Sequence, residues 1–361
     1  MADNHYETSK SLSSSLLEKG CITEKLSVRL SNRKHKDSSN KCSTPKQRSN
    51  SLILNPKNTS SLYNTKIKFL ILANIFFFSL GCLITKMFSS FTELSSITLC
   101  FYIGFYMICF SLLFLKFDNI GLSKEPGKDK YNFNIQKLDA YILRSGLGCI
   151  SIISTTIGLY YVKLSIFTVI VIINPILANL ILKKIQKDKI KKFEVICILV
   201  ILSFLILTWF IDEDYDEGVN LTLGIFVTLF SVLINSIIYI IDMNLCNDFH
   251  PYYINTFTGV LLVTFCPILL SIKNESFNVL LSMHLLIIVL GACYFFGVYF
   301  SMKTTYYGDV LLYSPYNNLG ILLILINAKF VFDEDISIAD MLLVMAILII
   351  SYVRYLFFKK M

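Results

Sequence analysis

Residues 138–182 read LDAYILRSGLGCISIISTTIGLYYVKLSIFTVIVIINPILANLIL, an almost unbroken apolar run whose charged side chains are Asp139, Arg144 and Lys163. A helix needs about 20 apolar residues to cross the hydrocarbon of a bilayer. The run supplies two such lengths, 138–161 and 166–182, and the connection 162–165 leaves room only for a tight hairpin. Pro175 falls inside the second length, where it removes a backbone donor and frees a carbonyl one turn earlier. The segment therefore reads as two antiparallel membrane helices, the second one kinked.

The same reading extends outward. Residues 67–88 and 97–115 upstream, and 193–211, 221–241, 253–272, 279–302, 310–332 and 336–358 downstream, are of comparable length and apolarity, so ten spans are expected. Composition agrees: 55% of the chain is apolar and 16% charged, against about 25% charged in a soluble domain, and the mean hydropathy is +0.63. Lipid is the solvent for most of the chain. The net charge of +8 comes largely from the amino-terminal tail and one Lys cluster, so nucleic acid is not an expected partner.

Residues 1–65 are rich in Ser, Asn, Lys and Thr and cannot bury enough apolar area to offset the entropy of ordering. A disordered tail is expected, with no apolar segment of signal-peptide type before the first span. The plain reading is a solvated tail; the functional one is a contact with anionic lipid that phosphorylation weakens. Lysines gather on one side of the expected membrane, in the tail, at 116–137, at 183–192 and at Lys303, Lys359 and Lys360; acidic residues gather on the other, at 212–217 and 333–335. Because Lys and Arg stay in the cytoplasm, both termini are expected to be cytosolic, in the plasma membrane or in Golgi or other endomembranes. The loop 242–252 has no Lys or Arg. The sequons at Asn220 and Asn274 fall on the non-cytosolic side, close to the membrane.

Most of the ten cysteines sit singly in apolar runs without CxxC spacing, which excludes a disulfide framework. His5, His35, His250 and His284 have no partners at ligand spacing, so neither a metal nor any other cofactor is expected.

Splitting the spans after the fifth aligns Gly158-Leu159-Tyr160-Tyr161 with Gly297-Val298-Tyr299-Phe300, then Lys163 with Lys303, then Asn174-Pro175 with Ser314-Pro315, with one extra residue in the second copy. Five spans per copy is an odd number, so the copies must insert with opposite orientation, as in the inverted repeats of secondary transporters. The expected fold class is all-α: a polytopic membrane protein with a tail (1–65) and two five-helix repeats, 66–211 and 212–361.

The order of these elements resembles the drug/metabolite transporter superfamily of EamA type, which includes the nucleotide-sugar and triose-phosphate translocators. The resemblance spans about 67–358 and rests on Leu143-Arg144-Ser145-Gly146 at the start of the third span, on Gly158-Leu159-Tyr160-Tyr161-Val162-Lys163-Leu164, and on Asn174-Pro175-Ile176-Leu177-Ala178. The acidic residue usual after the fourth span is approximated by Asp188 and better matched by Glu334 in the second half, and Cys197 stands where Gly is common. Among the branches, the G subgroup of the solute carriers that contain nucleotide-sugar transporters looks nearest. The resemblance implies a carrier with its site between the repeats.

Candidate substrate-binding residues follow from residue chemistry. Tyr316, Asn317 and Asn318 lie beside Pro315, and Asn174 beside Pro175; with Tyr160 they could hydrogen-bond hydroxyls or amides and stack on a ring. Arg144, Lys163 and Lys303 are candidate anion anchors, the alternative being that Arg144 snorkels to the headgroups and that the lysines are plain interfacial residues. Pro175 and Pro315 are candidate helix breaks. His284 is a candidate proton site, and Lys329 with Asp340 a candidate pair. No nucleotide-binding motif supplies ATP energy. The expected function is therefore secondary transport of a small polar or anionic metabolite by alternating access, without enzymatic activity. A multipass scaffold or membrane-embedded enzyme is the competing class, and a homodimer is left open.

Overall fold

The structure, a computed structural model, describes residues 56–119, 138–171, 173–185, 220–245, 250–273, 281–307 and 319–334, with Ser203, Val279, Ile336, Met341, Val344, Met345 and Ile349. The chain divides into two units, Met1–Pro56 and Lys57–Met361, and the first lies outside the described residues apart from Pro56. The remainder is helical: α1 (Pro56–Phe91), α2 (Ser96–Asn119), α3 (Leu138–Tyr161), α4 (Leu164–Val171), α5 (Asn174–Ile185), α6 (Leu221–Leu245), α7 (Pro251–Lys273), α8 (Leu281–Tyr307) and α9 (Leu319–Phe332).

Seven helical stretches among the described residues are long and apolar enough to cross a membrane, with α4 and α5 together making one of them, and α9 contributes a shorter apolar helix. Large apolar side chains on their outer surfaces, such as Phe69, Phe226, Ile272 and Leu285, are exposed, as lipid contact requires. The chain is thus an integral multi-pass membrane protein. Of the ten expected spans, those at 193–211 and 336–358, apart from the single residues named above, and the beginning of the one at 310–332 fall outside the described residues.

Local sequence sets the helix ends. Ser95 caps α2 with its Oγ accepting from the Thr98 amide, and Asn220 caps α6 by accepting from the Leu223 amide. The Asn220 side chain of the sequon is thus a helix cap. Pro251 opens α7, where its missing N–H costs nothing. The kink expected at Pro175 is a full interruption: α4 stops at Val171, Ile173 is in a turn, and Pro175 lies in the first turn of α5.

Two apolar clusters hold the helices together. One joins the end of α3 to α4, α6 and α9 through Leu159, Leu164, Phe167, Val232 and Leu325. The other joins α1, α2, α3, α7 and α8 through Phe88, Ile103, Ile152, Leu262 and Phe295. Helices α2 and α7 cross at two glycines: a Cβ on Gly104 would lie 2.9 Å from the Gly259 carbonyl oxygen, and one on Gly259 would lie 2.6 Å from the Gly104 carbonyl oxygen. Backbone meets backbone there, a close approach that membrane helices use in place of a hydrophobic driving force.

Candidate functional site

Helix α3 presents Arg144, Gly148, Ser151, Thr155 and Gly158 at spacings of four, three, four and three, one narrow face of a helix. Antiparallel α6 answers with Asp242, Asn235, Ser231 and Thr228. Thr155 and Ser231 hydroxyls are 2.6 Å apart, the Ser151 hydroxyl donates to Asn235 Oδ1 at 2.8 Å, and the Thr228 hydroxyl occupies the space a Gly158 side chain would need. Arg144 closes the seam: its Nε donates to Asp242 Oδ1 at 2.6 Å and its Nη2 to Oδ2 at 2.9 Å. Both side chains are nearly sealed, 4% and 3% exposed. This bidentate fork is the geometry that makes Arg–carboxylate pairs strong.

The seam faces a cavity of about 290 Å³ bounded by α1, α3, α4, α5, α6, α7, α8 and α9. Its walls are mixed. Phe77, Phe78, Ile152 and Phe167 supply apolar surface; Asn74, Asn174 and Asn235 supply amides; and Ser301, Thr304 and Thr305 supply hydroxyls on α8. Arg144 and Asp242 are the charged residues among the described lining residues. Asn174 is anchored by the Ser236 hydroxyl, 2.7 Å from its Oδ1, while its amide nitrogen has no hydrogen bond to a described residue. A space with apolar walls and a few convergent polar groups is the ordinary form of a small-ligand site.

A second polar constellation lies at the α3–α4 connection. Lys86 of α1 donates to the carbonyls of Leu159 and Val162, at 3.1 and 2.8 Å, and so takes up orphan carbonyls at the end of α3. Two residues on, Glu334 accepts from the amides of Leu164 and Ser165, at 2.8 and 2.9 Å, and from the Ser165 hydroxyl. A carboxylate there satisfies orphan donors and opposes the helix dipole. Glu334 is aimed by the end of α9, where Asp333 adopts φ 51° and the Glu334 amide returns to the Ala328 carbonyl at 3.1 Å, a left-handed turn that ends the helix.

Of the candidate residues read from the sequence, Arg144 and Asn174 line the cavity. Arg144 does not snorkel; it is buried in a pair. Tyr316, Asn317, Asn318 and Pro315 lie outside the described residues, as does the side chain of Pro175. Tyr160 is not among the lining residues: its hydroxyl donates to the Leu94 carbonyl at 2.9 Å, in the α1–α2 connection. Neither are Lys163, half-buried between α3 and α4, and Lys303, whose ammonium sits 5.7 Å above the Tyr299 ring. His284 packs edge-on against Tyr102, and Lys329 pairs with Asp333 at 3.3 Å, with Asp340 outside the described residues. Sequence reading misses Asp242, because hydropathy ends the apolar run at 241 and assigns the acid to the loop 242–252. The helix runs on to Leu245. The signal was the spacing 242, 235, 231, 228, whose polar side chains fall on one face as the α3 set does.

No family model and no curated protein matches the chain. Among solved structures, 28 chains match; one, a crystal structure of a protein, has a TM-score of 0.56 at 13% identity, over 80% of this chain and 95% of that one. At such identity the likeness is one of fold.

Proposed function

We propose that the chain is a secondary carrier for a small polar or anionic metabolite, working by alternating access in an EamA-like fold of ten helices. The observation that carries this reading is the cavity itself: a space inside a membrane bundle lined by amides, hydroxyls and a sealed ion pair. Polar groups in hydrocarbon are costly unless they pair or line water, and a scaffold has no need of them. The volume, about 290 Å³, lies at the small end of ligand sites and favours a metabolite of single-sugar or amino-acid size over a nucleotide sugar.

An inverted repeat, pairing α1 with α6, α2 with α7, α3 with α8 and the α4–α5 span with the one that contains α9, is supported by part of the packing, whereas the α3–α6 seam has no comparable contact between its exchange pair, α8 and α1. Helices α2 and α7 are close neighbours, the exchange of α2–α8 is α3–α7, and both pairs are in contact. Tyr160 reaches the connection before α2, and its counterpart Tyr299 stacks on Tyr252 at the start of α7. Gly104 and Gly259, each the ninth residue of its helix, would lie on the axis. With the termini cytosolic, the Lys86 and Glu334 caps fall at the non-cytosolic end, next to the apolar packing of α4 on α9, and Arg144 and Asp242 fall toward the cytosol.

The test is uptake. Vesicles containing the purified chain should accumulate at least one labelled metabolite from a broad panel, saturably and above protein-free vesicles. No uptake of any of them would favour the scaffold.

A further inference from the structure

We infer that the break between α4 and α5 binds Na+, held by oxygens of Val171, Asn174, Val232 and Ser236, and that this ion drives the carrier. The second half of the inference rests on the carrier reading above; the first is measured apart from it.

Oxygen acceptors outnumber donors at the break. The Ser236 hydroxyl lies 2.7 Å from Asn174 Oδ1, 3.2 Å from the Asn174 carbonyl oxygen and 2.9 Å from the Val232 carbonyl oxygen. Three acceptors thus surround a group with one proton to give. Ser236 is fully buried, so bulk water does not supply the missing donors. A second deficit has a separate cause. In an unbroken helix the Val171 carbonyl would accept from residue 175, which is Pro175 and has no N–H. The chain tightens instead, the Ile173 amide returning to the Ile170 carbonyl at 3.2 Å, and the Val171 carbonyl has no hydrogen bond to a described residue. Val171, Asn174 and Val232 all border the cavity, which gives an ion a way in.

Excess oxygens at the end of a half-helix are what a hard cation requires. The C-terminal end of α4 turns the negative pole of its dipole toward the break, and in membrane carriers such ends, with unwound carbonyls, coordinate the coupling ion. No three His, Cys, Asp or Glu side chains gather among the described residues to hold a metal, and the oxygens at the break are neutral. Such a set compensates a single charge, whereas a divalent ion calls for carboxylates. Oxygens within 2.7–3.2 Å of Ser236 Oγ enclose a small space, which suits Na+ over the larger K+. In the proposed repeats Val171 and Asn174 belong to one half, Val232 and Ser236 to the other. Bound Na+ therefore bridges the halves and favours the arrangement in which they meet.

The experiment reads binding first. The full chain in detergent is melted in NaCl and in equal concentrations of KCl and choline chloride. Na+ should raise the melting temperature saturably over choline, with a half-saturating concentration about tenfold below that of K+. Asn174→Asp adds a carboxylate to the site and should lower the half-saturating Na+ concentration about tenfold; Asn174→Leu and Ser236→Ala remove oxygens and should abolish the Na+ shift. Equal melting in NaCl and choline chloride would overturn the inference, as would an equal shift in KCl or a Na+ shift that persists in folded Asn174→Leu and Ser236→Ala variants. The wild-type comparison decides even where a variant fails to fold. Transport is read next, in proteoliposomes, where an inward Na+ gradient should speed uptake of the transported metabolite about tenfold over choline. Equal uptake in Na+ and choline would overturn the coupling and leave the carrier reading standing. A Na+ shift without uptake of any metabolite would remove the carrier reading and its coupling and leave the ion site.

Discussion

Arg144 and Asp242 are each nearly sealed from solvent and are paired through two hydrogen bonds, so removing one strands the other. Arg144→Ala or Asp242→Ala should each lower stability by about 3–5 kcal/mol, measured by denaturation in detergent, whereas Arg144→Gln with Asp242→Asn should cost far less than the sum. A double variant as unstable as the two singles combined would mean that the two charges do not act as a pair. At the α2–α7 crossing, Gly259→Ala places a methyl 2.6 Å from a backbone oxygen that cannot rotate away. A loss of about 1–3 kcal/mol is expected, and an unchanged melting temperature would contradict the close approach. Arg144 was visible in the sequence because a charge in a span stands out. Asp242 was not, because hydropathy falls at the end of α6 in the same way for an acid in a loop and an acid facing a partner.

At the scale of elements, α4 depends on a cap that comes from α9, and α3 on one that comes from α1. Glu334→Ala leaves the Leu164 and Ser165 amides without their carboxylate and should cost about 1–3 kcal/mol; Glu334→Gln, which can still accept a hydrogen bond, should recover part of it. Equal stability of Glu334→Ala and wild type in a denaturant titration would rule out the cap. Asp333→Gly relieves the left-handed backbone at the end of α9 and should stabilise by roughly 0.5–1 kcal/mol in the same titration. Break and cap differed in legibility for a physical reason. Pro175 acts on its own backbone, so the interruption after Val171 could be read from neighbouring residues. Glu334 acts 170 residues away, and no local pattern connects it to Leu164. The resemblance marked Glu334 as a matching acid without giving it this role.

For the molecule as a whole, apolar lengths alone located seven spans among the described residues, since hydrocarbon thickness is a one-dimensional constraint that a sequence states directly. The cavity is a three-dimensional product of eight helices and was only partly legible: Arg144 and Asn174 line it, Tyr160, Lys163 and Lys303 do not, and the polar seam of α3 and α6 had gone unread. The proposed topology sets Asn220 and Lys184, both exposed, on opposite sides of the membrane. In sealed cells an impermeant thiol reagent should therefore modify Asn220→Cys and spare Lys184→Cys, and the reverse pattern would invert the model. The most direct measurement of the central claim is trans-acceleration in proteoliposomes. A carrier that must return its site across the membrane moves labelled substrate faster when the opposite side holds unlabelled substrate, because the loaded form reorients more readily than the empty one. Preloading should raise the initial uptake rate of the transported metabolite severalfold, with saturation at high external concentration; uptake that rises linearly with concentration and is indifferent to preloading would contradict alternating access in this fold.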